Sequence, residues 1–227
     1  MKQIGLVFNG VWSQYAFATA PKYREIYELV YVHELDHEKI QHLKALVIPF
    51  QSNQEALVRR KDALYRFLGD DKKIAVFGDS LPLWLDAQWE DRPVNNYWWV
   101  KDPNNPPISE TNYEHPVYQG LKPRHACWHI HGVYTRIPEN SEVIQRNDKG
   151  EIITWQTDRY GGVLFASTLD PIVEHGIQQI RHLDNYVDKL TAWLGGVRPE
   201  GAFGVDREAY GIAELPTEAS RLALRSG

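Results

Sequence analysis

Short apolar runs, each stopped by a turn-forming residue, punctuate the first 80 residues. Ile4 to Phe8 is followed by Asn9-Gly10, which reads as a buried strand and a turn. Leu29 to Val32 is a second such run, and a short helical stretch follows from Glu38 to Lys44. Ala45-Leu46-Val47-Ile48 is a third strand, stopped by Pro49. Ser52 with Glu55 three residues on matches a capping box. Ala56, Leu57, Ala63, Leu64, Phe67 and Leu68 then recur at helical spacing up to Gly69, with Arg59, Arg60 and Lys61 forming the solvated side. Ile74 to Phe77 is a fourth strand, ended by Gly78-Asp79-Ser80. Strands that alternate with helices predict an α/β fold with a mainly parallel central sheet covered on both faces.

The alternation stops at Asp86. From there to Lys122 the chain carries five prolines and a crowd of aromatic residues, too long a stretch for a plain connection. It reads as an irregular excursion over one end of the sheet. Regularity returns with the alternating run Cys127-Trp128-His129-Ile130-His131, and Val143 to Arg146 and Ile152 to Trp155 flank the hairpin signal Asn147-Asp148-Lys149-Gly150. Gly162 to Ser167 is a further strand. Ile177, Ile180, Leu183, Val187, Leu190 and Leu194 predict one long amphipathic helix closed by Gly195-Gly196. The expected organisation is one domain over 1–195 and a C-terminal tail over 196–227, in which Thr217 to Arg225 has the pattern of a short helix.

Composition narrows the function classes. The 227 residues carry 25 basic and 30 acidic side chains, a net charge of −5, which argues against bulk-charge binding to nucleic acid. No apolar run is long enough for a membrane span, and the first residues, Met1-Lys2-Gln3-Ile4, have no hydrophobic signal region. A cytoplasmic protein is expected. The only cysteine is Cys127, which excludes an intramolecular disulfide and a cysteine-based zinc cluster. Eight Trp and twelve Tyr are the compositional oddity; Trp84, Trp89, Tyr97, Trp98 and Trp99 fall close together.

In an open parallel sheet, ligands bind beyond the carboxyl ends of the strands. That places Asn9, Gln51, Asp79, Ser80, His129, His131, Asp170 and His175 among the candidates. Ser80 fits two roles: N-cap of a helix starting near Leu81-Pro82, or an exposed nucleophile on a strand-turn-helix elbow. His175 lies near a helix N-terminus, where the dipole favours neutral imidazole and a base is possible; the alternative is plain capping by Asp170 or Thr168 with Glu174 on the dipole. His129 and His131 share a face in a strand and make a zinc site possible with Asp170, His175 or Asp79 as third ligand. Trp98 and Trp99 offer stacking faces for a sugar or base, or else a satellite hydrophobic cluster.

The order of elements resembles the class I glutamine amidotransferase-like superfamily, in particular its trehalose-utilisation (ThuA-like) branch. The resemblance rests on Ala45 to Pro49, Ile74 to Ser80, His115-Pro116-Val117-Tyr118-Gln119-Gly120-Leu121, the hairpin ending in Ile153-Thr154-Trp155, and Tyr160 to Phe165 followed by Thr168-Leu169-Asp170. It covers residues 1–195 and implies a flavodoxin-like three-layer sandwich. The family's cysteine nucleophile aligns with Ser80, and its His-Pro-Glu with Asp170-Pro171-Ile172. Its Gly-Gly oxyanion turn aligns with Phe50-Gln51-Ser52. Thiolate attack on glutamine needs all three, so no glutaminase is expected.

Two functions follow as expectations. One is a binding protein that takes a small polar, sugar-like ligand or a partner at the carboxyl edge through Asn9, Gln51, Trp98, Trp99, His129 and His131. The other is a hydrolase with a rearranged site, using Ser80 or Asp79 with His175, His131 and Asp170, with or without metal. No cofactor is expected, zinc being the alternative. A homo-oligomer is expected, with the excursion as a contact surface, and neither nucleic acid nor membrane as partner.

Overall fold

The computed structural model describes residues 2–94, 96–102 and 104–205. Five strands form a parallel unit: β1 (Ile4–Phe8), β2 (Tyr27–Tyr31), β3 (Ala45–Ile48), β4 (Lys73–Phe77) and β10 (Val163–Ser167). They lie in the order β2-β1-β3-β4-β10, every pair parallel. Beyond β10 the sheet continues antiparallel through β9 (Ile152–Thr157), β7 (Val133–Arg136) and β5 (Gln88–Glu90). Two more strands, β6 (Ile108–Thr111) and β8 (Glu142–Asn147), join alongside β9. The architecture is thus mixed α/β: the parallel half matches the sequence pattern, and the antiparallel half is larger than a mainly parallel sheet implies. It arises because the excursion contributes β5 and β6, and because the Asn147 to Gly150 turn closes β8 onto β9.

Period-two alternation sorts the parallel strands onto two faces. Ile4, Leu6, Ala45, Val47, Ala75, Phe77 and Phe165 point to one core. Val7, Leu46, Ile48, Ile74, Val76, Leu164 and Ala166 point to the other. Helices α1 (Trp12–Thr19) and α8 (Arg181–Gly195) cover the first face with Phe17, Tyr186, Val187, Leu190 and Leu194. Helices α2 (His37–Ile40), α3 (Gln54–Arg59) and α4 (Lys61–Gly69) cover the second with Ile40, Leu57, Leu64, Phe67 and Leu68. Each of these fully buried side chains contributes about 1.5–3 kcal/mol, so the two cores rather than local propensity hold the layers together.

Three local expectations are corrected. The capping residue of α3 is Asn53, whose side chain accepts from the Ala56 amide; Ser52 is occupied elsewhere, donating to the Pro49 carbonyl at 2.7 Å. The expected single helix over 56–68 is two, α3 and α4, broken at Arg60. The expected helix across Ile177 to Leu194 is also two. Helix α7 (Pro171–Gln178) ends at Gln179, which takes a left-handed conformation (φ 50°), and α8 begins two residues on. Ile177 is consequently exposed rather than in the core.

Residues 199–205 fold back onto the domain: Phe203 packs on the core and the Val205 amide donates to the Gln179 carbonyl. The Thr217 to Arg225 pattern lies outside the described residues. No described helix is long and apolar enough to cross a membrane.

Candidate functional site

After β1 the chain runs to β2 on one side, then returns to β3 on the other side of β1. This reversal is the topological switch point at which α/β sheets open a crevice. A polar clasp spans it. Asn9 Nδ2 donates to Ser52 Oγ (3.1 Å), the Asn53 amide donates to Asn9 Oδ1 (2.8 Å), and the Asn9 amide donates to Gln14 Oε1 (2.9 Å). Gln14 Nε2 donates in turn to the Phe50 carbonyl (3.1 Å). Asn9 is therefore a linchpin of the loops. Gln51 is exposed, with a left-handed backbone (φ 64°) that a non-glycine residue adopts at a cost.

The segment from His129 to His131 crosses above this edge. It is not the strand that its alternation predicts: Ile130 makes one isolated antiparallel bridge with Leu169. Its position is fixed by single bonds instead. Asn96 brackets Ile130, accepting from its amide and donating to its carbonyl. The His131 amide donates to the Thr168 carbonyl (2.9 Å), and Trp89 Nε1 donates to the His131 carbonyl (2.7 Å). The next residue must be glycine: Gly132 has φ +95°, and a Cβ there would lie 2.4 Å from the Glu90 carbonyl oxygen.

These contacts bring His129, His131 and Asp170 together. One ligating atom from each lies within 4.8 Å of the others. His131 Nε2 meets Asp170 Oδ2 at 2.8 Å, and His129 Nδ1 meets Glu174 Oε1 at 3.3 Å. Burial raises the proton affinity of Asp170, helped by the nearby Glu174 charge, and lowers that of His131. Burial also pushes Asp79 up, with the His131 charge opposing. Burial works to raise Glu174 as well, yet its bond and charge contact with His129 hold it below its ordinary value. The two imidazoles are half-buried; Asp170 is buried beneath them. Phe50 stacks on the His131 ring at 3.9 Å and 18°.

Other expected residues stand apart. Ser80 is buried at 3% exposure, and its Oγ makes no well-formed hydrogen bond; its hydroxyl neighbour is Tyr134. No helix follows it, so it is not an N-cap: residues 82–84 form a turn and 85–87 a bend. Asp170 sits at the start of α7 but its side chain does not cap it, because it is turned to His131. His175 is wholly buried on α7 and bonded to Asp184 (3.2 Å), among Phe17, Tyr23 and Phe203. It is a core residue of the α1/α8 layer, not a base for Ser80. Trp98 is likewise packed into a small core with Cys127, Ile130, Ile153 and Leu169. Trp99 stays half-buried and stacks on Trp128. Burial pushes the Cys127 thiol far above its ordinary range, which makes it inert.

The sequence reading missed the aromatic rim. Trp12 is 72% exposed at the start of α1, three residues past Asn9, and packs on Tyr15, which in turn contacts Phe8. The available signal was a tryptophan directly after the first strand's turn, on a helix with little amphipathic pattern. Two surface hollows, of about 660 and 610 Å³, lie beside α2/α4 and beside α8. Neither is lined by His129, His131 or Asp170.

No family model and no curated protein matches the chain. Solved structures do. A cytoplasmic protein from Salmonella typhimurium LT2 superposes with a TM-score of 0.53 at 11% identity, over 86% of this chain and all of that one. A GMP synthase-like protein from Thermoplasma acidophilum gives 0.52 at 14% identity, over 85% and 96%. A ThuA-like protein from Bacteroides uniformis gives 0.46 at 16% identity, over 87% and 94%. At these identities the likeness is one of fold alone: the chain shares its mixed α/β architecture with the Salmonella and Thermoplasma proteins.

Proposed function

We propose that this chain is a flavodoxin-like, ThuA-like protein that binds a small polar, sugar-like ligand at the carboxyl edge of its parallel strands, and that it is not a glutaminase. The observation that carries the reading is the pairing, at one edge, of half-exposed polar groups with an exposed indole. His129, His131 and Asp79 supply hydrogen-bonding groups, and Trp12 supplies a flat apolar face. Rings with one apolar face and a hydroxyl periphery match both. The glutaminase chemistry lacks support because the elbow carries Ser80, and the one thiol is buried in another cluster. Ser80 as a hydrolytic nucleophile lacks it too, since no imidazole bonds its Oγ. Self-association through residues 86–122 belongs to the same reading, with exposed Tyr97 on that surface.

Calorimetric titration with a panel of mono- and disaccharides tests this. Saturable binding that falls at least tenfold in Trp12→Ala is expected. Release of ammonia from glutamine, or absence of saturable binding across the panel, overturns it.

A further inference from the structure

We propose that His129, His131 and Asp170 form a three-ligand site for one divalent first-row transition ion, zinc foremost, with its remaining position open at the sheet edge. The proposal shares its location with the sugar-binding reading but does not depend on it.

The donor set comes first. Two imidazoles and one carboxylate suit zinc and its neighbours, whereas magnesium and calcium take oxygen shells. Three protein ligands with one position left open is the arrangement of a catalytic rather than a structural zinc.

Geometry comes second. With metal–ligand bonds of about 2.0–2.2 Å, ligand atoms of a tetrahedral ion stand roughly 3.4 Å apart. Here the three atoms lie within 4.8 Å, the closest pair at 2.8 Å. Seating an ion at that spacing requires side-chain rotations that open the 2.8 Å His131–Asp170 pair.

The third observation is Asp170 itself. It is 1% exposed, and its Oδ1 has no hydrogen-bond partner. An orphaned buried carboxylate oxygen carries an uncompensated desolvation penalty. A cation reached by Oδ1 removes that deficit. The fourth is the outer contact: Glu174 holds His129 Nδ1 at 3.3 Å, the kind of carboxylate partner that orients a metal-bound imidazole. Finally, the peptide that carries both histidines is pinned by Asn96, Thr168 and Trp89, so two ligands arrive pre-positioned. A bound ion would offer a Lewis-acid position to hydroxyl or carboxylate oxygens arriving at the edge.

The test uses the full chain stripped with chelator, then titrated with zinc by calorimetry and with cobalt by visible absorbance. One ion per chain is expected, with cobalt bands typical of mixed nitrogen and oxygen ligation. His131→Ala and Asp170→Asn are expected to weaken zinc binding at least 100-fold, and Glu174→Gln 10- to 100-fold. His42→Gln, on the surface away from the cluster, is expected to leave it unchanged. Zinc binding at wild-type strength in both His131→Ala and Asp170→Asn overturns the site. Should those variants fail to fold, a wild-type chain that takes up no cobalt, or shows only the bands of the hydrated ion, overturns it equally. Sugar binding without metal uptake removes this proposal and leaves the ligand reading; metal uptake without sugar binding does the reverse.

Discussion

Two histidine–carboxylate pairs have opposite fates. His131–Asp170 sits at the sheet edge; His175 and Asp184, five and fourteen residues after Asp170, sit in the α1/α8 layer. Asp184 is surrounded: Lys22 Nζ bonds it at 2.9 Å, the Phe203 and Gly204 amides donate to it, and Arg181 and His175 complete the shell. Lys22 also bonds Asp188, as does the Tyr23 hydroxyl. Asp170 has one partner on one oxygen and none on the other. A buried carboxylate whose lone pairs are all answered fastens a fold; one left half-answered beside half-exposed imidazoles is poised for something that arrives from outside. The residue types are identical, and the surroundings decide between architecture and chemistry.

The largest effect that tests this contrast is on stability. Asp184→Ala leaves the Phe203 and Gly204 amides unanswered and takes one of the two carboxylates that hold Lys22, and a loss of about 3 kcal/mol is expected. Asp170→Asn removes a charge without enough partners and is expected to cost less than about 1 kcal/mol. Urea unfolding of both variants reads the difference. Equal losses would erase the distinction between the two pairs.

A smaller effect is expected at Gly78. Its φ is +82°, and a Cβ there would lie 2.4 Å from Phe50 Cδ2. Gly78→Ala should therefore destabilise by about 1–3 kcal/mol and push Phe50 off the His131 ring. Loss of the ring-current shift on the His131 protons, seen by NMR, checks the second part. An unmoved His131 signal in a destabilised variant would confine the effect to the elbow.

The smallest is a slope with pH. Burial lowers the His175 pKa from its ordinary 6.5, with the Asp184 bond opposing. The unfolded chain therefore binds this proton more readily than the folded one, and stability rises with pH in that range. The contribution is complete above about pH 6.5 and is lost as pH falls through the folded value. The urea midpoint should drop from pH 7 to pH 5, and drop less in His175→Asn. An equal drop in both would assign the slope to other groups.

The parallel half of the fold was legible because its strands are continuous apolar runs with sharp stops, and because β8 and β9 announce their turn. The antiparallel half was not: β5 and β6 are three and four residues long, mostly half-exposed, and paired to partners far along the chain. At the site, the shared face of His129 and His131 was readable from their spacing, although the strand invoked for it reduces to one bridge. Asp170 entered the sequence reading as one of three possible third ligands. Its choice over Asp79 and His175 depends on contacts 39 residues apart in sequence, which no local pattern encodes. The His175 expectation erred for the same reason: the residue lies in the last turn of α7 rather than near a helix N-terminus, and its side chain turns inward to Asp184. Phe50 was legible only as part of a strand-end loop and Gln14 left no signal, since their roles exist only where β1, β3 and β4 meet.

Phe50 has a consequence for how this protein can diverge. Its ring fills the space that a side chain at position 78 would need, and its other face lies flat on His131. Residues 50, 78 and 131 therefore cannot drift independently. A larger residue at 78 is tolerable only after Phe50 shrinks, and a smaller residue at 50 leaves the imidazole without its backing. Among descendants of this sequence the three positions should be inherited as a set, with substitutions whose fitness costs are strongly non-additive.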